Sequence, residues 1–235
     1  MSGLNKKIAL VAGGTGALGS VIAERLVSEG ALVSATYHRD TESGRTPESF
    51  KEKMTLLRAD MTNEASVRHL FEHIVAASAH VDIVVNTVGG YLPAKPVTEV
   101  TLEEWELMMN INLKSAFLST REALRRMRGQ AYGRIINISA MVALNPSPGR
   151  TAYAISKAGV SLLSDLVAQE VKGSGITVNA IAPSIIATRA NIESMPDEDS
   201  SQWVTPEEIA DLVCYLCSSA AGSITGTTIK AYGGV

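Results

Sequence analysis

Seven short apolar runs punctuate the chain: Ile8–Ala12, Ala31–Tyr37, Thr55–Ala59, Val81–Asn86, Arg134–Ser139, Thr177–Ala182 and Thr227–Ala231. Most are nearly continuous in Val, Ile, Leu and Ala instead of alternating with polar residues. Continuous apolar strands belong to sheets covered on both faces, and such sheets are parallel. Between the runs lie longer stretches, about six in number, whose apolar residues recur at helical spacing. Strand and helix in alternation predict a doubly wound α/β fold: about seven parallel strands with helices on both faces.

Two helix starts are explicit. Thr101-Leu102-Glu103-Glu104 is a capping box that opens a predicted helix running towards Met127. Thr205-Pro206-Glu207-Glu208 repeats the logic with proline in the first turn. No repeat, low-complexity tract or linker divides the chain, so residues 1–235 read as a single domain. Asn191–Gln202 is acidic and lacks an apolar period, which predicts a mobile surface segment within substrate loops spanning about 185–203.

Composition narrows the function. With 46% hydrophobic and 19% charged residues, collagen, coiled coil and disorder are excluded. A net charge of −3 sets up no strong field, which argues against nucleic-acid and anionic-membrane partners. Two cysteines are too few for a disulfide framework, and neither a signal-peptide pattern nor a membrane-length apolar run is present. The expectation is a cytoplasmic protein.

Chemistry enters after the first strand. Gly13-Gly14-Thr15-Gly16-Ala17-Leu18-Gly19 joins it to a helix, and residues 14–19 fit G-x-G-x-x-G. Glycines let the backbone approach a pyrophosphate, whose charge then sits on the helix N-terminus. Cofactor choice is read at the end of the second strand, Tyr37-His38-Arg39-Asp40, where an acid would favour NAD and an arginine NADP. Tyr37 is not acidic and Asp40 follows Arg39, so the preference falls on NADP through Arg39 with His38, and NAD is the alternative. Tyr153 and Lys157, four apart, share one face of an alanine-rich helix. A cation there is expected to lower the phenol's pKa and fit it for acid–base work.

Glycine turn, Asn86 with Gly89, Asn112 and Tyr153 with Lys157 occur in the order and spacing of the short-chain dehydrogenase/reductase family, which the whole chain resembles. The resemblance implies a Rossmann fold, an NAD(P)-dependent oxidoreductase acting on a small-molecule substrate, and a homodimer or homotetramer built on helices such as Ala116–Met127 and Val160–Val171. It implies cofactor contacts from Gly13, Thr15, Gly16, Ala17, Leu18 and Gly19, with Ala12 and Ala17 replacing the family's threonine and middle glycine. Asp60 and Met61 match the adenine-contacting segment, and Asn86, Val88 and Gly89 fall in the family's N-N-A-G turn. Pro183, Ile186 and Thr188 follow the sixth strand, where the nicotinamide half is met. Tyr153 is implied as proton donor, Lys157 as its partner and ribose ligand, and Asn112 as holder of a relay water.

The family's substrate-orienting serine stands 13 residues before the tyrosine, a place held here by Ala140. Ser139 is one residue early, and a bulge or a one-residue longer loop through Asn145-Pro146-Ser147-Pro148-Gly149 would restore it to the active site; Ser147 is a weaker substitute. The gap resembles a narrower branch, the quinonoid dihydropteridine reductases, as do Gly14–Ser20, Val88–Tyr91 and Ser194–Pro206. A dinucleotide sensor without turnover is a further alternative. Cys214 and Cys217 read as buried core, His69 and His73 as a solvated helix face, and no metal site is expected. Trp105 is expected to pack behind its capping box, and Trp203 could line the substrate pocket.

Overall fold

The computed structural model describes residues 3–39 and 54–234. Its centre is a seven-stranded parallel sheet: β1 (Ile8–Ala12), β2 (Leu32–Tyr37), β3 (Met54–Arg58), β4 (Ile83–Asn86), β5 (Gly133–Ile138), β6 (Ile176–Pro183) and β7 (Thr228–Ala231), in the order β3-β2-β1-β4-β5-β6-β7. Every residue of β1, β4, β5 and β6 is buried, as their unbroken apolar runs require, whereas the edge strands β3 and β7 are partly open.

Helices α1 (Ala17–Ser28) and α7 (Pro206–Cys217) cover one face, where Ile22, Leu26, Ile209 and Val213 meet Val11, Val33 and Ile136. On the other face lie α2 (Glu64–Ser78), α4 (Ser115–Met127) and α5 (Thr151–Glu170), with Phe71, Leu118 and Val167 against Leu10, Val84 and Ile135. Helix α3 (Leu102–Met108) carries the Thr101–Glu104 capping box, and Thr205–Glu208 makes the same box on α7. β1 pairs with both β2 and β4, so the strand order reverses there, and a crevice opens beyond the carboxyl ends of those strands.

Two expectations change. The helix from Thr101 towards Met127 is not uniform: Met109–Lys114 is a π-helical turn between α3 and α4. The Asn191–Gln202 segment is not without regular structure: it holds a short helix, α6 (Arg189–Ser194), and a 3-10 turn at Ser200–Gln202.

Candidate active site

The glycine turn packs through backbone. Gly13 has φ +78°, and its N–H donates to Thr36 Oγ1 at 2.8 Å. A side chain at Gly19 would run into the Gly13 carbonyl, so the first turn of α1 sits against the end of β1. Gly16 is the N-cap residue and no side chain caps the helix, which leaves first-turn N–H groups at Ala17 and Leu18 for an anion. Thr87, whose sequence position gives no sign of it, donates from Oγ1 to the Ala12 carbonyl at 2.7 Å and lies 3.2 Å from the Gly13 carbonyl.

Beside the turn is a cavity of about 490 Å³. Its walls are Gly13, Thr15 and Gly16, then Tyr37, His38 and Arg39 from the end of β2, then Asp60 and Met61 after β3, and Val88 and Gly89 after β4. The Asp60 carboxylate accepts from Thr62 N–H at 2.8 Å and from its hydroxyl at 2.7 Å. Burial pushes the Asp60 pKa up, but those hydrogen bonds and the charges of His38 and Lys114 outweigh it and hold the group below its ordinary value. Asp40 lies outside the described residues.

Asn86 does not line this cavity. It pairs with Asn137 across the β4–β5 ladder, Nδ2 donating to Asn137 Oδ1 at 2.7 Å, and Asn137 Nδ2 donates to Ser164 Oγ on α5 at 2.9 Å. The row ties sheet to helix, which corrects the expectation of a direct cofactor contact by this side chain.

The second half of the site converges at the ends of β4 and β5. The π turn buries Asn112, whose Oδ1 accepts from Gly90 N–H at 2.9 Å. Its Nδ2 donates to the Gly90 carbonyl and to Ser156 Oγ, both at 3.0 Å. Ser156 in turn donates to the Tyr153 carbonyl at 2.8 Å, so one carboxamide joins the loop after β4 to the helical turn that carries the tyrosine. A side chain on Gly89 would come within 2.6 Å of Asn112 Oδ1 and 3.0 Å of Lys157 Nζ, which places all three together.

Lys157 is buried, and Nζ donates to the Ile138 carbonyl at 2.9 Å. Burial pushes its pKa down to about 8. The expected lowering of the Tyr153 pKa does not occur: burial raises it, and the cation acting the other way is Arg150. Desolvation outweighs charge, and the phenol keeps its proton at neutral pH.

Ser139 is not in the site. β5 runs on without a bulge, and Ala140 is extended at φ −161°. The Ser139 hydroxyl donates to the Lys157 carbonyl at 2.9 Å and pairs with Ser161 Oγ at 2.8 Å, against α5. Neighbouring strand residues point to opposite faces, so the residue beside Ala140 is turned away from the pocket. After β6, Pro183 is buried, Ile186 forms a bridge with Val204, and the Thr188 hydroxyl caps α6 by accepting from Asn191 N–H at 3.3 Å.

Cys214 and Cys217 are buried free thiols, and burial pushes Cys214 up to about 12. His69 pairs with Glu72 on the exposed face of α2. Trp105 is half-buried, and Trp203, at the end of the substrate-loop segment, is buried at 5% exposure. Among the described residues, no helix is long and apolar enough to cross a membrane, and no three His, Cys, Asp or Glu groups cluster to hold a metal.

A family model described as Enoyl-(Acyl carrier protein) reductase matches residues 13–235. A solved structure of a short-chain type dehydrogenase/reductase from Mycobacterium ulcerans superposes with TM-score 0.91 at 25% identity, over 98% of this chain and 90% of that one. The chain belongs to the short-chain dehydrogenases/reductases. Another member, 3-oxoacyl-[acyl-carrier-protein] reductase FabG of Haemophilus influenzae, is 36% identical over 238 residues, 97% of this chain and 98% of its own length. A structure described as ElxO with NADP bound has TM-score 0.91 at 26% identity, covering 97% of this chain and 98% of that one. As a short-chain dehydrogenase/reductase, the protein is an oxidoreductase.

Proposed function

We propose that the protein reduces a small carbonyl or imine substrate, with NADPH as the preferred cofactor and NADH as the alternative. The observation that carries this reading is the meeting of Lys157, Asn112 and Gly89, one helical turn from Tyr153 and next to the glycine-turn cavity. The residues present fit a dinucleotide: bare backbone at Gly13–Gly19 suits a pyrophosphate, and Asp60 and Met61 border room for the adenine. His38 and Arg39 line the same wall, with Lys114 close enough to act on Asp60, and this cationic setting favours a 2′-phosphate. The NADP-bound relative supports that choice.

The reduced nicotinamide, when bound, supplies the hydride. Tyr153 holds the proton that the substrate oxygen needs, and its raised pKa keeps that proton in place at neutral pH. Lys157, on α5 and anchored on the end of β5, would hold the nicotinamide ribose. Asn112 keeps the loop after β4 and the Tyr153 turn in register. Exposed Phe117, Leu162 and Leu166 on α4 and α5 support a homodimer or homotetramer, the assembly proposed for this chain. The dihydropterin reading stands second, favoured by Ala140, since a quinonoid pterin presents no simple ketone for a serine to polarise. The test is NADPH oxidation on adding a 3-oxoacyl thioester, a simple ketone and a quinonoid dihydropterin in turn. Turnover of one of them supports the reading; a protein that binds NADPH yet oxidises it with none contradicts it.

A further inference from the structure

Resting on the reductase reading, we propose that Arg150 is a substrate-recognition residue and that the preferred substrate carries a carboxylate close to the carbonyl being reduced. Arg150 directly precedes α5, three residues before Tyr153. Its Nη1 donates to the Leu92 carbonyl at 3.0 Å, which fixes the half-buried guanidinium between the loop after β4 and the tyrosine's helix. Arg150 and Tyr153 border one hollow of about 10 Å³, the size of a single water, together with Leu92, Pro93 and Lys95.

The charges around that hollow are unequal. Lys95 is neutralised by Glu104 at 2.5 Å. Among the described residues no carboxylate pairs with Arg150, and its one hydrogen bond there is to Leu92. A guanidinium has five N–H donors in a planar fork, so a carboxylate edge can still be gripped at two points. A half-buried cation that no carboxylate among the described residues neutralises is relieved by a substrate anion, and not by a neutral analogue. Ala140 adds the need: with no hydroxyl at that position, the substrate must be oriented by another group, and Arg150 borders the Tyr153 hollow as a cation that no carboxylate among the described residues neutralises. Its field at Tyr153 is felt as the charge opposing the effect of burial on the phenol.

The experiment compares kcat/KM for 2-oxobutanoate and 3-oxobutanoate with their methyl esters in wild type, Arg150→Gln and Arg150→Lys. A paired charged hydrogen bond predicts that at least one acid exceeds its ester by about tenfold or more. That ratio should collapse towards one in Arg150→Gln, and recover only partly in Arg150→Lys, which lacks the fork. In parallel, calorimetry measures oxamate binding to the NADP-loaded proteins, with weaker binding expected in Arg150→Gln. Ester reduction without preference for the acid, or a ratio unmoved by Arg150→Gln, overturns the inference and leaves the reductase reading intact. If neither acid nor ester is reduced, oxamate decides: binding lost with Arg150→Gln upholds the anion site against the reductase reading, and no binding to wild type overturns the site.

Discussion

The ammonium of Lys157 donates to the main-chain carbonyl of Ile138 at 2.9 Å, so a cation on α5 is anchored to the end of β5. Burial lowers its pKa from 10.5 to about 8. Below the folded-state value, the proton is bound in both states and the buried charge weighs against folding. Between about 8 and 10.5 the unfolded chain holds more proton than the folded one, so stability rises with pH. The cofactor-free protein is expected to gain up to about 3 kcal/mol across this window, relative to Lys157→Met. Urea midpoints of both proteins at the two ends of the window check it, and a constant difference between them would contradict the burial argument.

Gly89→Ala should damage the site more than the sheet. The added methyl would lie 2.6 Å from Asn112 Oδ1 and 3.0 Å from Lys157 Nζ, so both must shift. A displacement near the reacting groups predicts a loss of about 10²-fold in kcat. Steady-state kinetics with a melting curve separate this from unfolding; an unimpaired kcat would remove Gly89 from the site.

Ser139 and Ala140 should answer differently to exchange. Ser139→Ala breaks the hydrogen bonds to the Lys157 carbonyl and Ser161, at a cost of about 1 kcal/mol, with kcat changed less than about twofold. Ala140→Ser returns a hydroxyl to the place of the family's substrate serine and is expected to raise kcat for a simple ketone. A large kcat loss in Ser139→Ala would restore Ser139 as a catalytic group.

Arg39→Ala should weaken NADPH binding by about tenfold more than NADH binding, because only the former offers a phosphate to the guanidinium. Fluorescence titrations with both cofactors measure the ratio, and equal losses would remove the 2′-phosphate argument.

Much of the fold was legible because a parallel sheet leaves an unambiguous trace. The run Ile8–Ala12 is buried at every position, and Thr101 and Thr205 cap their helices as their sequences announce. The π turn left no such trace, because its residues Met109–Lys114 have the composition of ordinary helix, and the partners Asn112 finds in it, Gly90 and Ser156, are distant in sequence. Asn86 shows a related limit: spacing places it at a strand end, but only the neighbouring strand supplies Asn137 to turn its carboxamide into the sheet. Thr87 and Thr36 carry the glycine turn through single hydroxyls, and a threonine at a strand end looks the same whether or not its hydroxyl finds a carbonyl or an N–H. The Tyr153 pKa depended on burial, which four-residue spacing does not reveal.

The central claim is that Tyr153 gives the proton while the rest of the site binds and aligns. It is tested most directly by Tyr153→Phe, with NADPH affinity and single-turnover reduction measured on the same preparation. The account predicts affinity within about threefold of wild type and reduction slowed by about 10²-fold or more. Reduction at an undiminished rate in a variant that still binds NADPH would contradict it.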